Sequence, residues 1–300
     1  MTSRNTPSVS FIGFGEAGQA IASGLRESGV DHIVAWDILF PDSAGARQRE
    51  AGEKIGVRLA TSAADAVRDA DLIVAAVTAA SSTEAAQSVA PHLVKVPYYL
   101  DINSVSPGRK QNNAKLLGSA ARYVDVAVIA AIHPARHRTP MLLAGPHAEP
   151  IVPLLRELEM QVSVVQGDVG AAAAIKMIRS VMIKGIEALT LECFLAAARA
   201  GVLEDVTVSL KNNYPGLDWA KVTEYNLERM ASHGARRAAE MEESALTLRE
   251  LGLDPLMVEA TVERQRAMGE IGKQDKVRRS LTEGRAAMLK AISAAAKDHS

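Results

Sequence analysis

Phe11-Ile12-Gly13-Phe14-Gly15-Glu16-Ala17-Gly18 is the stretch on which the fold turns. Its glycines follow the spacing G-x-G-x-x-G, directly after the apolar run Val9–Ile12 and directly before a helix-like stretch, residues 17–27, that Gly29 stops. Alone, such glycines fit any tight turn. Between a strand and a helix, the missing side chains let the backbone approach a diphosphate, and the helix N-terminus offers that anion unpaired N–H groups and a positive dipole end. Gly13, Phe14, Gly15, Glu16, Ala17 and Gly18 are therefore expected to form the phosphate loop of a dinucleotide-binding domain.

The alternation of apolar runs with amphipathic stretches continues to about Gly145. Ile33–Trp36, residues 72–77, 98–102 and 123–128, and Met141–Ala144 have the unbroken hydrophobicity of strands buried on both faces, with helical patterns such as 63–68 between them. Repeated βαβ units predict an α/β fold, a Rossmann-type doubly wound parallel sheet whose ligand crevice lies outside the carboxyl ends of the strands. Asp37 closes the second run about 20 residues after the last glycine, where a carboxylate accepts hydrogen bonds from ribose hydroxyls and repels a 2′-phosphate. NAD is the expected cofactor; Arg47 and Arg49 leave NADP open, and an ordinary turn residue also fits Asp37. The strand ends Val77-Thr78 and Asp101-Ile102-Asn103-Ser104 should line the same crevice, Val77, Thr78 and Asn103 toward the cofactor, although simple strand capping explains them too.

Composition narrows the partners. With 34 Lys and Arg against 35 Asp and Glu, the 300-residue chain lacks the basic excess of a nucleic-acid binder or polybasic membrane protein. Hydrophobic residues make up 48% and aromatics only 4%, so the core must be aliphatic, as in sheet-and-helix proteins. The N-terminus lacks the layout of a secretory signal, and Lys176, Arg179 and Lys184 interrupt the most apolar stretch, so neither export nor a membrane span is expected. The single cysteine, Cys193, reads as a buried structural thiol in a reducing cytoplasm. His133 and His137 lie near no matching acid or cysteine cluster, so surface or hydrogen-bonding roles are expected and no metal.

After Gly170 the pattern changes. Ala171–Ala200 reads as one long helix of roughly 45 Å ending at Gly201. Residues 222–230, 235–251 and 254–268 are amphipathic without strand alternation. The expected organisation is a dinucleotide-binding domain over residues 1–168 and an all-α domain over 169–300 that begins with the interdomain helix. Lys176, Ser180 and Lys184 recur every four residues on one face of that helix with Glu187 nearby. Charges among apolar neighbours suggest a site at the domain junction, where a partly desolvated lysine exchanges a proton with a substrate oxygen. A solvated face with a Lys184–Glu187 pair fits the same spacing. His233, Arg237 and Glu240 likewise share a face, either presenting Arg237 to a carboxylate or lying in water.

Over most of its length the chain resembles the β-hydroxyacid dehydrogenase family, which includes 3-hydroxyisobutyrate dehydrogenases and tartronate semialdehyde reductases and is related to 6-phosphogluconate dehydrogenase. The resemblance rests on the loop Phe11–Gly18 and on Gly167-Asp168-Val169-Gly170 leading to Lys176. It implies an NAD(P)-dependent oxidoreductase of small hydroxy acids, Lys176 as general acid/base, a Rossmann domain joined by the long helix to a helical domain, and a homodimer. Ser104-Val105-Ser106-Pro107 is similar to the family's substrate loop and marks Asn103 and Ser104 as site residues. Two departures stand out: Ser180 replaces the family's Asn one turn after the lysine, and Asp125-Val126-Ala127-Val128-Ile129-Ala130-Ala131 replaces Asp-x-x-Val-Ser-Gly-Gly. Ile129, Ala130 and Ala131 remove a donor and obstruct close backbone approach, so the substrate is expected to be less polar or differently seated among Ser104, Val128, Ile129, Ala130, Arg179, Ser180, Lys184 and Arg237. Imine reductases share this architecture but usually carry an acidic or phenolic residue at the lysine position. A catalytically silent nucleotide-binding module is the third reading, against which the lysine also counts.

Overall fold

The structure, a computed structural model, describes residues 6–297. Its contacts divide the chain into two compact units, one ending at Met177 and the other beginning at Ile178.

β1 (Val9–Ile12) is buried throughout, as an unbroken apolar run between two helical layers must be. Val9 and Phe11 join one core cluster and Ile12 the other, while the Ser10 hydroxyl is satisfied by donating to the Ala66 carbonyl at 2.8 Å. Around β1 lie β2 (Ile33–Trp36), β3 (Arg58–Leu59), β4 (Leu72–Ala75), β5 (Tyr98–Asp101), β6 (Arg122–Val128), β7 (Met141–Ala144) and β8 (Val162–Val164), in the order β3-β2-β1-β4-β5-β6-β7-β8. Every neighbouring pair is parallel except β6 and β7. Trp36, Ile12, Ala75, Asp101 and Asp125 stand in one register row, so the loops after β1, β2, β4 and β5 leave the sheet side by side. Strand order reverses at β1, which places the crevice of a doubly wound sheet over the glycine loop.

The helices α1 (Glu16–Glu27), α2 (Ala46–Ile55) and α6 (Ala148–Glu157) cover one face of the sheet. The other is covered by α3 (Ala63–Val67), α4 (Ser82–Val89) and α5 (Pro107–Leu117). Three details depart from the sequence reading. β3 and β8 are extra edge strands, too short and too exposed to show as apolar runs. β7 runs antiparallel because the residues between β6 and β7 hold only a turn of 3-10 helix, Arg136–Arg138, rather than a crossover helix. β4 and β5 stop at Ala75 and Asp101, so Val77 and Ile102 lie in the loops beyond them.

α7 (Ala171–Ala200) is the expected single helix, with the boundary between the compact units inside it. It is followed by α8 (Leu203–Asn213), α9 (Trp219–Glu250), α10 (Leu256–Ile271), α11 (Asp275–Ser280) and α12 (Arg285–Lys297). The stretches read as 222–230 and 235–251 are one helix. Gly234 between them serves packing instead of a break: a Cβ there would meet the Gln265 carbonyl oxygen at 2.4 Å and Gly269 N at 2.5 Å. Backbone meets backbone where α9 crosses α10. Cys193 is exposed, contrary to the buried thiol expected, because it falls on the side of α7 turned away from Leu191 and Phe194, which enter the core of the helical unit. Among the described residues no helix is long and apolar enough to cross a membrane.

Candidate active site

The three glycines of the loop meet different demands. Gly13 has φ +89°, and a Cβ on it would lie 2.5 Å from the Ala76 carbonyl oxygen. A Cβ on Gly18 would approach the Gly13 oxygen at 2.8 Å. Both keep β1, the loop and α1 in close contact. At Gly15, the residue that caps α1, a Cβ would find nothing within 4 Å. Of the three, only there is the backbone bare toward open space, beside the N-terminus of α1 with its positive dipole end, which is the cradle a diphosphate requires. The loop therefore fits the diphosphate of a dinucleotide. Glu16 is exposed and Ala17 half-buried, while Phe14 is buried in the core.

Asp37 closes over this loop from β2. Its Oδ2 accepts from the Phe14 N–H at 2.7 Å and its Oδ1 from the Leu39 N–H at 3.0 Å, so the carboxylate braces the loop as well as charging the crevice. Arg49, one of the two arginines that left a 2′-phosphate open, donates to the Phe40 and Asp42 carbonyls. At the neighbouring strand end, Asn103 Oδ1 accepts from the Val77 N–H at 2.8 Å and Asn103 Nδ2 donates to Ser82 Oγ at 3.3 Å. The Asn103 side chain thus ties the loops after β4 and β5 together and is buried. Thr78 is exposed and its hydroxyl donates to Ser81 Oγ at 3.2 Å.

Lys176 projects from the second turn of α7, and its Nζ donates to Ser104 Oγ at 2.6 Å. A hydroxyl that accepts from an ammonium keeps its own proton for another partner. The two are held by a buried polar network that the sequence reading did not assemble. Asp125 Oδ2 accepts from the N–H groups of Gly170, Ala172 and Ala173 at 2.9, 3.0 and 3.1 Å, capping α7 from inside the sheet. Lys110 of α5, only 1% exposed, reaches the Asp101 carbonyl, Asp101 Oδ1 at 3.0 Å, the Val126 carbonyl at 3.3 Å and Asp125 Oδ1 at 3.6 Å. Asp101 Oδ2 takes Tyr123 OH at 2.7 Å and Asn113 Nδ2 at 3.2 Å, and its Oδ1 also accepts from Asn103 N at 3.0 Å. Burial raises the Asp125 carboxyl above its ordinary value, against the pull of the Lys110 ammonium and the helix N–H groups. Burial likewise raises the Tyr99 and Tyr123 phenols well above their ordinary value. Two acids inside otherwise apolar strands were the signal for a hidden cation, but Lys110 sits in the polar run Arg109–Asn113, which reads as solvent-facing.

In the helical unit, the Lys184–Glu187 pairing that the spacing suggested does not form. Lys184 Nζ contacts Glu240 Oε2 at 2.9 Å and Ser180 Oγ at 3.2 Å. Glu187 receives both arms of the Arg237 guanidinium and Gln265 Nε2 at 2.8 Å. Ser180, Lys184, Glu187 and Arg237 are all buried, so Arg237 is engaged by a carboxylate of its own chain, whereas Arg179 is exposed. Val128 and Ile129 are half-buried and Ala130 exposed at the end of β6. His137 is 2% exposed and hydrogen-bonded to Ser28 Oγ at 3.1 Å; His133 is exposed. Among the described residues no three His, Cys, Asp or Glu side chains gather as a metal site.

Residues 8–103 match the family described as NADP oxidoreductase coenzyme F420-dependent, and residues 197–268 match a domain of unknown function, DUF1932. A conserved hypothetical protein of Sinorhizobium meliloti 1021 is 35% identical over 97% of each chain, with a TM-score of 0.78. The conserved protein MTH1747 of unknown function, structurally similar to 3-hydroxyacid dehydrogenases, is 30% identical over 87% of this chain and 96% of its own, with a TM-score of 0.71. The 3-hydroxyisobutyrate dehydrogenase of Mycobacterium tuberculosis, with L-serine, shares the fold at 14% identity over 95% of this chain and 98% of its own, with a TM-score of 0.73.

Proposed function

The chain belongs to the family of conserved proteins that includes the Sinorhizobium meliloti protein and MTH1747, an NAD(P)-binding Rossmann domain followed by a DUF1932 helical domain, and on that premise we propose that it is a nicotinamide-dependent oxidoreductase interconverting an alcohol and a carbonyl on a hydroxy-acid-like substrate. The observation that carries this reading is the Lys176–Ser104 pair at the end of β5, in the same row of loops as the glycine loop. A bound nicotinamide supplies hydride chemistry; the chain supplies binding and the proton. Gly13–Gly18 and the N-terminus of α1 would hold the diphosphate, and Asp37 the adenosine ribose. A carboxylate at that place, with Arg49 occupied by backbone carbonyls, favours NAD over NADP.

In the oxidative direction a neutral Lys176 amine takes the substrate hydroxyl proton; in the reductive direction its ammonium returns a proton to the carbonyl oxygen. Ser104, accepting from Lys176, turns its own O–H toward the same substrate oxygen and orients it. Ile129, Ala130 and Ala131 in place of a serine and two glycines favour a less polar substrate body than the family's small hydroxy acids. A homodimer is part of this reading: Met182 and Leu189 on α7 are 65% and 59% exposed in the single chain, more apolar surface than a helix ordinarily leaves in water, and sedimentation at micromolar concentration should give twice the monomer mass.

The test is a panel of hydroxy acids and their oxo forms with NAD(H) and NADP(H), following nicotinamide absorbance. Lys176→Ala should lower turnover by about 100-fold or more while leaving cofactor affinity unchanged. Wild-type turnover in that variant would overturn the assignment of Lys176.

A further inference from the structure

The buried Asp101–Lys110–Asp125 network joins the end of β5 to the N-terminus of α7. Asp101 is the last residue of β5 and its carboxylate fixes the backbone of Asn103, one residue before Ser104. Asp125, mid-strand in β6, receives the first N–H groups of α7, one to two turns before Lys176. The Lys110 ammonium lies between the two acids and is bonded to both strands, through the Asp101 and Val126 carbonyls as well as Asp101 Oδ1. Asp125 Oδ1, which faces the ammonium at 3.6 Å, has no hydrogen bond of its own, so Lys110 is the neighbour that compensates it. Its helix also braces the turn before α7 from outside: Gln111 Nε2 donates to the Val169 carbonyl at 3.1 Å, and Pro107 lies where a Cβ on Gly170 would come within 3.1 Å.

We propose that Lys110 is a positioning residue, whose buried ammonium holds the N-terminus of α7 against the end of β5 and thereby sets the hydrogen bond between Lys176 and Ser104. A flexible loop and a helix end, each anchored alone, would bring two side chains to 2.6 Å only part of the time. Anchoring both to one cation removes the relative motion that a proton-transferring pair cannot tolerate. A different role for Lys110, neutralising two buried acids so that the domain folds, makes no demand on Lys176. The two roles separate in one variant.

Lys110→Met with Asp125→Asn removes the bridge yet leaves the net charge of the cluster unchanged. The new amide still offers an oxygen to the helix N–H groups, the methionine side chain fills the volume of the lysine stem, and Asp101 keeps Asn103 N, Tyr123 OH and Asn113 Nδ2 as donors. The readout is pulse labelling of lysine amines with acetic anhydride on the full chain, followed by peptide mass spectrometry, with Ser104→Ala as the reference for a lost hydrogen bond and exposed Lys221 as the internal control. Lys176 should label about tenfold faster in the double variant and in Ser104→Ala than in wild type, the factor one charge-assisted hydrogen bond is worth. Lys221 should not change. Wild-type labelling of Lys176 in a folded double variant overturns the proposal. If that variant does not fold, Asp125→Asn alone decides: faster Lys176 labelling supports the bridge, and an unchanged rate overturns it. The functional weight of the pair rests on the reading of Lys176 given above, but labelling needs neither cofactor nor substrate, so a failure here leaves the proposed reaction standing, and absence of turnover leaves the bridge standing.

Discussion

Gly15→Ala and Gly13→Ala, one methyl group placed two residues apart, should fail in opposite ways. At Gly13 the backbone has φ +89°, and the added carbon would sit 2.5 Å from the Ala76 oxygen and 2.5 Å from Val77 Cγ1. The left-handed conformation costs Ala about 1–2 kcal/mol and the forced repacking about 1–3 kcal/mol more. With about 2–4 °C lost per kcal/mol in a unit of this size, Gly13→Ala should melt roughly 4–20 °C below wild type. Gly15 is extended, with φ −77° and ψ −160°, and the new methyl meets nothing within 4 Å. The loss of a favourable N-cap, about 0.5–1 kcal/mol, is offset by about the same gain from a less flexible unfolded chain, so stability should stay within about 0.5 kcal/mol. Affinity should not stay. The methyl stands where a diphosphate approaches the N–H groups, and losing one charge-assisted hydrogen bond of about 1.5–3 kcal/mol weakens NADH binding about 10–100-fold. Circular-dichroism melts and a fluorescence titration with NADH measure the two effects. Wild-type NADH affinity in Gly15→Ala would refute the glycine loop as the diphosphate seat, and a melting temperature as low as that of Gly13→Ala would refute the open space at Gly15.

Other substitutions probe the frame around the site. Gly24→Ala should destabilise although Ala is the better helix former, because a Cβ there would lie 2.0 Å from His137 Nδ1; adding His137→Ala should restore stability, and chemical denaturation of the pair and of each single variant tests the coupling. Burial and the neighbouring Arg138 and Arg136 hold the His137 imidazole below its ordinary value of 6.5, against the opposing pull of Glu159 and Glu27. The unfolded state therefore binds the proton more readily. The contribution of a neutral His137 is complete above 6.5 and is lost as the pH falls through 6.5 toward the folded value, so His137→Gln should flatten the decline of melting temperature between neutral and mildly acidic pH, and an unchanged slope would count against a buried neutral imidazole. Glu187→Ala strands the Arg237 guanidinium, 10% exposed, without its carboxylate and should cost about 3–5 kcal/mol; Glu187→Leu with Arg237→Met should recover most of that in urea melts, unless Arg237 is needed for more than its partner.

What this sequence determined by itself is local. A strand, a G-x-G-x-x-G turn and a helix N-terminus are contiguous in the chain, so the phosphate loop was legible from Phe11–Gly18, and the strand–helix alternation was enough for the sheet and for the single helix α7. Periodicity carried less at the edges. β3 and β8 are held by pairing with a neighbour rather than by their own apolar run, and the strand direction of β7 depends on a connection without a helix. Partnership was the part that only tertiary structure decided. Helical spacing offered Glu187 to Lys184, but three-dimensional packing gave Glu187 to Arg237 and Lys184 to Glu240, fifty or more residues further along the chain. In the same way Asp101, Lys110 and Asp125 come from a strand, a helix and a strand whose side chains converge only when the sheet closes. The physical reason is that hydrophobic patterning records which face of an element is buried, whereas a buried charge is satisfied by whichever group folding brings within hydrogen-bond reach.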